Sequence, residues 1–508
     1  MSNKAHVGSF AVRSAFIRGI EAQPVTVEVT CTSGLPRYEI VGMADATVME
    51  SRTRVQSAIA QTGFESPRMN VTINLAPAEV RKTGTSFDLP IAIAILAASG
   101  QIPTKGLEGC LVVGELGLGG QVLGVRGGMA YALLAEQEGR CLLTAPDGVS
   151  GALRCETAAL ASLGRMRHGV AELPAISGSG VGRRKGTAEA DGRTLDYRDV
   201  CDQEMAKRAL VIAAAGRHGI MMVGPPGAGK TMLARRLPTI LPQLDEDARM
   251  EAMLVHSVSG QPTDGLELGL PPFRAPHHTI SSVGLIGGGR PVTPGEVSLA
   301  HRGVLFLDEL PEFANNALQA LRQPLEDHCV RVVRTEGAYV FPCDFMLVAA
   351  ANPCPCGHLG DPGHPCTCAP AAVERYQARM GGPLADRIDI HIDVARPASA
   401  KVIEGGRGAQ AQASTGMSSA QMRDMVLAAR EFAADRERRG HAGEAPLASF
   451  EQQALSSFEG IALRLCMGGR SIARAARVAR TIADIERHEL VTRDDIVEAC
   501  SYRGRTHG

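Results

Sequence analysis

The stretch GIMMVGPPGAGKTMLARRL, residues 219–237, runs from apolar residues through a glycine-rich turn into a helix-forming segment. Gly224, Gly227 and Gly229, with Pro225, Pro226 and Ala228 between them, let backbone N–H groups converge on phosphate oxygens. Lys230 is placed to reach the β- and γ-phosphates, and the Thr231 hydroxyl offers a ligand to Mg²⁺. Further along, GVLFLDEL (303–310) sets Asp308 and Glu309 behind four apolar strand residues. There Asp308 would hold the Mg²⁺ through water, and Glu309 would polarise the attacking water. An acidic pair after a strand is by itself more often a solvated strand end. Downstream of a phosphate loop it reads as the catalytic pair of an ATPase, with ATP and Mg²⁺ as cofactors.

A second constellation lies in LVAAANPCPCGHLGDPGHPCTCAP (347–370). Cys354 and Cys356 form one Cys-x-Cys pair and Cys366 and Cys368 another. The residues between the pairs, among them Gly357, Gly360, Asp361, Pro362 and Gly363, suit a chain reversal. Four thiolates gathered this way match a closed tetrahedral Zn²⁺ site, with His358 and His364 as substitute ligands. The spacing is tighter than the usual Cys-x₂-Cys, so buried free thiols are the alternative; a redox switch is the weaker third reading, since no Cys-x-x-Cys is present. The cysteines begin just after Asn352, which ends an apolar run where ring-forming ATPases place a polar γ-phosphate sensor. In GGPLADRIDIHIDV (381–394), Arg387 stands between Asp386 and Asp389. It is either a surface arginine in a local ion pair or one that stabilises transition-state charge on a neighbouring subunit's γ-phosphate. GGRSIARAARVAR (468–480) spaces Arg470, Arg474, Arg477 and Arg480 along one helical stripe. That stripe is a solvated basic face, or it carries a second nucleotide sensor at Arg474 or Arg470.

These groups must be positioned by a chain of 508 residues, room for roughly three domains with their own cores. At 44% hydrophobic and 21% charged residues the composition is that of an ordinary globular protein. The longest apolar run, LPIAIAILAAS (89–99), is about half a bilayer span, and the first ten residues lack the apolar core of a signal peptide. A cytoplasmic chain without a membrane partner is expected. Thiols stay reduced there, so the 13 cysteines argue against a disulfide framework. A net charge of −1 supplies no bulk attraction to nucleic acid; any DNA contact has to be local, as in a basic ring lumen.

Alternating runs at 25–32, 70–77 and 110–116 read as strands. Between them, Val48, Val55 and Ile59 recur at near-helical spacing, and FDLPIAIAILAASG reads as a buried helix. This mixed α/β domain ends near Glu172. ISGSGVGRRKGTAEADG (176–192) is polar and glycine-rich, hence a linker. Strands and helices alternate from Tyr197 to about Arg396. After GGRGAQAQASTG (405–416) the chain turns helical, and its last helix opens at Thr492 with Asp495 three residues on.

Together these residues resemble the magnesium-chelatase-like AAA+ ATPases, specifically the competence-associated ComM/YifB family. The resemblance is carried by GLPRYEIVGMADATVMESRTRV, NLAPAEVRKTGTSFDLPIAIAILAASGQI, the phosphate-loop segment, PFRAPHHTISSVGLIGGG, PGEVSLAHRGVLFLDELPEF, LRQPLEDH, NPCPCGHLGD and VARTIADIE, nearly the whole chain apart from the linker. It implies an α/β multidomain fold: a domain like that of Lon protease (S5 domain 2-like) at 1–172, a linker at 173–196, an AAA+ core at 197–400 and a helical lid at 401–508. It also implies a homo-hexameric motor that uses ATP and Mg²⁺ to drive branch migration of DNA during recombination of transformed DNA, with recombination proteins as partners. Walker A then falls on Gly224, Gly229, Lys230 and Thr231, Walker B on Asp308 and Glu309, sensor 1 on Asn352 and the arginine finger on Arg387. Gly468, Ala351 and His328 depart from the family's usual serine, methionine and glycine, and the first leaves the sensor 2 choice between Arg470 and Arg474 open. In the Lon-like domain Ser86 takes the nucleophile's slot while Met129 takes the general base's, so no protease activity is expected.

Two other functions compete with a DNA motor. One is the ATPase subunit of a magnesium chelatase; its partner's Asp-x-Ser-x-Ser site has no counterpart in this sequence, and the porphyrin-pathway motor is expected to lack a domain like residues 1–170. The other is a protein-remodelling ATPase. DNA contacts are sought in CVRVVRTEGAYVF, read as a hairpin turning at Glu336–Gly337 and offering Arg334 and Tyr339, and in Arg274, His277 and His278. With 6 Tyr, 12 Phe and no Trp, backbone tracking is favoured over base stacking.

Overall fold

A computed structural model describes residues 8–149, 155–175, 195–335, 337–361, 363–380, 384, 387–397, 416–441, 447 and 449–503. Most of the expected linker, the glycine-rich stretch before Gly416, and the single residues Glu336, Pro362 and Asp386 lie outside these.

The first sheet has seven strands, in the order Arg37–Val41, Asn70–Ala76, Glu21–Thr32, Gly8–Arg18, Cys110–Val112, Cys141–Thr144 and Thr157–Ala159. Alternation forms it: in Glu21–Thr32 the buried residues are Val25, Val27, Val29 and Cys31, one face of a period-2 strand. Helices Ala46–Gln61 and Asp88–Ala98 pack on that face. All eleven residues of the second helix are buried, so no amphipathic stripe exists to read. Helix Gly128–Gln137 covers the other face through Tyr131, Ala132 and Ala135.

The second sheet is parallel throughout, in the order Phe273–Arg274, Val304–Leu307, Met346–Ala351, Ile220–Val223 and Ile390–Asp393. Its first strand in sequence therefore lies between the fourth and the fifth. That is a topological switch point, and a crevice opens beyond the strand ends there. One face packs against helix Glu204–Gly216 and the C-terminal helices in a single core that joins Leu210, Ile220 and Val348 to Met422, Ile482 and Ile496. The other face has its own core, which includes Leu305, Phe313, Phe341 and Ile388.

Helices Ser419–Arg436, Gln452–Arg464, Gly469–Glu486 and Arg493–Ser501 make up the C-terminal region. The expected Thr492–Asp495 capping box is present, and Ser418 with Gln421 forms another. The hairpin pairs Cys329–Arg334 with Gly337–Pro342, and Arg334 lies opposite Gly337. Gly337 (φ 125°) therefore still belongs to the ladder, whereas the sequence put it in the turn. No helix among the described residues is long and apolar enough to cross a membrane.

Candidate nucleotide site and cysteine cluster

Strand Ile220–Val223 delivers the chain to the crevice, the loop 224–229 turns there, and helix Lys230–Arg236 leaves it. At Gly224 a Cβ would stand 2.1 Å from the Val394 carbonyl oxygen, so the loop can only begin this close to the neighbouring strand as glycine. The Lys230 ammonium donates to the carbonyls of Gly224 (2.6 Å) and Pro225 (3.1 Å) and to Asn352 Oδ1 (3.1 Å). Burial pushes this ammonium below the ordinary lysine range, against the pull of Asp308 and Glu309. Thr231 Oγ1 donates to Asp308 Oδ2 at 2.7 Å, and Asp308 Oδ1 accepts the Glu309 N–H at 3.0 Å. Three separate strands thus bring Lys230, Thr231, Asp308, Glu309 and Asn352 to one edge of the sheet, as the sequence required.

Glu309 itself has φ 52° and an exposed carboxylate. His278 Nδ1 lies 3.4 Å from that carboxylate, with Phe313 edge-on to its ring. His278 was a DNA-contact candidate; its place is beside the acidic pair. Arg274 is spent in a bidentate pair with Glu296 (2.6 and 2.8 Å), and His277 meets Thr279 at 2.9 Å. In the hairpin Arg334 is exposed, while the Arg18 guanidinium lies over the Tyr339 ring at 5.7 Å, so one stacking face is taken.

Arg387 pairs with Glu326, on the helix that feeds the hairpin. The Asp389 carboxylate expected beside it turns instead to His218 (3.1 Å), Arg477 (3.4 Å) and Arg474 (3.7 Å). Both Arg387 and Asp389 precede strand Ile390–Asp393, so they lie at the edge opposite the phosphate loop, about 13 Å of strand away. Arg480 joins Asp484 at 3.0 Å. The stripe is therefore not a solvated basic face: three of its four arginines pair with carboxylates. Arg470 is exposed and makes no ion pair among the described residues.

The four cysteines do converge. The Sγ atoms of Cys354, Cys356, Cys366 and Cys368 lie within 4.8 Å of one another, with separations of 3.4, 3.7 and 3.6 Å among the first three. A Zn–S length of ~2.3 Å in a tetrahedron requires sulfur–sulfur edges of about 3.8 Å, so the set fits zinc. Backbone N–H groups of His358 and Thr367 hold the Cys356 thiol down, at about 5. His358 and His364 are not in this set; with Asp361 they form a group of their own. Arg396, Glu326, the pairing of His278 with Glu309 and the ion cluster around Asp361, which the sequence marked only as a turn residue, escaped the sequence reading. Only the basic residue after the last core strand could have hinted at Arg396.

A glycine-rich loop at the switch point of a parallel sheet, with Lys, Thr, Asp and Asn around it, defines an ATP-binding protein of the AAA+ type. Family models described as magnesium chelatase subunit ChlI match residues 196–402 and 27–147, and one for the ChlI C-terminal region matches 416–503. YifB of Escherichia coli K12, itself called uncharacterized, is 39% identical over 96% of this chain and 95% of its own. The competence protein ComM of Haemophilus influenzae is 37% identical over the same shares. The magnesium-chelatase 67 kDa subunit of Chlorobaculum parvum is 29% identical over 31% of this chain and 23% of its own. The chain belongs to the ComM/YifB family of magnesium-chelatase-like AAA+ proteins. A model described as subunit ChlI thus also matches within the N-terminal region, at 27–147.

Proposed function

We propose that this chain is the subunit of a cytoplasmic, homo-hexameric ring that hydrolyses ATP to move DNA, promoting branch migration when transformed DNA recombines. The ATPase half rests on one observation, the junction of Lys230 with Asn352 and of Thr231 with Asp308. Thr231 and Asp308 would hold Mg²⁺, which neutralises phosphate charge when bound. Lys230 exchanges its carbonyl partners for phosphate oxygens, Asn352 senses the γ-phosphate from the side of Lys230, and Glu309 orients water. Arg387 serves the next subunit; its place at the far edge of the sheet supports this, since it is too distant to serve its own site. A finger acting in trans needs a head-to-tail, closed ring. Arg470 rather than Arg474 is our choice for sensor 2, because Arg474 is engaged with Asp389.

Residues 1–172 are proposed as a Lon-like domain without protease chemistry, 173–196 as the linker, 197–400 as the AAA+ core and 401–508 as the lid. Ser86 is buried and donates to the Ala15 carbonyl at 3.1 Å, and Met129 packs against Ala252 and Met253 of the core, so the two slots are used for bonding and packing. Cys354, Cys356, Cys366 and Cys368 are proposed to hold a structural Zn²⁺.

The DNA half rests on kinship with a competence protein and on the exposed Arg334 at the hairpin turn. It is tested by ATPase rate with and without single-stranded and branched DNA. Stimulation that weakens with salt is expected, since phosphate contacts release counterions. DNA that neither binds nor alters the rate at low salt transfers the proposal to protein remodelling. The chelatase reading is favoured by the family models' descriptions, and recovery of a porphyrin-metallating partner in a pulldown would establish it.

A further inference from the structure

The cysteine-held loop leaves the sheet at Asn352 and rejoins a helix at Pro370–Met380; between them it lies against the phosphate loop. At Gly357 (φ 82°) a Cβ would come within 2.6 Å of Pro226 Cδ, so the two loops touch backbone to ring. Four residues on, the Asp361 side chain, 4% exposed, accepts from the Gly363 N–H (3.0 Å) and gathers His358 Nδ1 (3.2 Å), His364 Nδ1 (3.6 Å) and Arg396 (3.4 Å). The same guanidinium donates to the Pro226 carbonyl at 3.2 Å and meets His364 Nδ1 at 3.3 Å. Arg396 follows strand Ile390–Asp393, the direct neighbour of the phosphate-loop strand. One side chain therefore joins the cysteine loop, the phosphate loop and the sheet. The His358, Asp361 and His364 ligand atoms have metal-site spacing, but the Arg396 cation already stands beside them and neutralises the carboxylate.

We propose that the cysteine-held loop braces the phosphate loop, and that Arg396, bridging Asp361 to the Pro226 carbonyl, is the positioning residue through which it sets nucleotide affinity. This rests on reading residues 224–231 as the nucleotide site. A brace on a loop that must present its N–H groups to phosphate acts on binding, whereas Glu309 and Arg387 act on hydrolysis. Free-standing phosphate loops lose ordering entropy when they bind; a braced one has lost it already.

The test titrates full-length protein, purified without a metal-affinity tag, with a fluorescent ADP analogue, and measures zinc content and ATPase kinetics on the same samples. Arg396→Ala is expected to weaken binding by about tenfold, the order of one charge-assisted hydrogen bond on a half-exposed group. Its zinc content and its kcat at saturating ATP should stay at the wild-type level. Arg396→Lys, a point charge that cannot span both partners, should recover part of the loss. Stripping zinc from the wild type should weaken binding too, and by less in Arg396→Ala, because both changes release the same contact. Should Arg396→Ala fail to fold, Arg396→Lys carries the same comparison. Wild-type affinity in the Arg396 variants, or a fall in kcat without a fall in affinity, overturns the brace. A Lys230→Ala control separates the two levels: if it loses binding while Arg396→Ala does not, only the brace fails; if it binds normally, the nucleotide reading falls with it.

Discussion

Lys230 is buried and bonded by two carbonyls and Asn352, so in the proposed reading ATP would replace these partners with stronger, charged ones. This makes Lys230→Ala a binding variant. Glu309 is proposed for a different task, and its carboxylate lies beside His278. Glu309→Gln should bind nucleotide like the wild type and lose about 10²–10⁴ in kcat, the worth of a positioned base, as read by single-turnover hydrolysis. Arg387 is held by Glu326 in its own chain, at the edge away from its own phosphate loop. Arg387→Ala should therefore bind ATP and hydrolyse it poorly, and mixing it with Lys230→Ala should restore part of the activity, because one competent interface forms between the two. No recovery at any mixing ratio, with rings confirmed by light scattering, would remove the trans assignment.

At the scale of elements, the arginine-rich helix Gly469–Glu486 is fastened to the sheet by charge. Burial opposes ionisation of Asp389, but His218, Arg477 and Arg474 outweigh it and hold the carboxyl below the ordinary aspartate range. A depressed folded pKa contributes stability that is present above the unfolded value, near ~4, and lost as pH falls through the folded one. Thermal melts of the wild type should therefore steepen downward below about pH 4, and Asp389→Asn should flatten that decline while costing about 3–5 kcal/mol at neutral pH. The same helix starts at Gly468, which has extended dihedrals but no side chain to cap it, and open space where a Cβ would stand. Gly468→Ser should raise stability by a few tenths of a kcal/mol, measured as a shift in denaturant midpoint. The departure at His328 has a cost of its own kind: it ends its helix at φ 51°, a conformation that glycine takes without strain.

Across the whole molecule, the N-terminal domain and the core share real contacts: Met129 against Met253, and Arg18 over Tyr339 at the hairpin. The hairpin thus touches the N-terminal region through Arg18 and Tyr339, and the helix that precedes it bears Glu326, the partner of Arg387. The cysteine loop sits apart from these contacts, against the phosphate loop. Elemental analysis should give about one zinc per chain, and Cys366→Ser combined with Cys368→Ser should lose it together with tight nucleotide binding. Metal-free protein with unchanged affinity would leave the cysteines as packing residues.

The chain's local order was legible because local physics produces it. Glycines that admit a phosphate loop, Thr492 with Asp495 at a helix start, and two Cys-x-Cys pairs around a glycine-rich reversal declare themselves within about twenty residues, and the acidic pair behind an apolar strand gained its reading from the phosphate loop upstream of it. The alternation of strands and helices and the choice of Lys230, Thr231, Asp308 and Glu309 follow from such segments, while Asn352 came from likeness to ring-forming ATPases and the parallel order of the sheet from the structure. Partners chosen across long separations did not declare themselves. Asp389 sits two residues from Arg387 in sequence, yet packing gives it to His218, 171 positions away, and gives Arg387 to Glu326, 61 positions away. His278 was a candidate for DNA until the sheet order set the strand before it, Phe273–Arg274, beside the strand that leads into Asp308 and Glu309. Arg396 acquired a role only when the last strand paired with the first and the cysteine loop folded back over both. Charged side chains have long reach and weak local preference, so which carboxylate or carbonyl each one meets is decided by how the sheet and its loops close, not by the residues on either side of it.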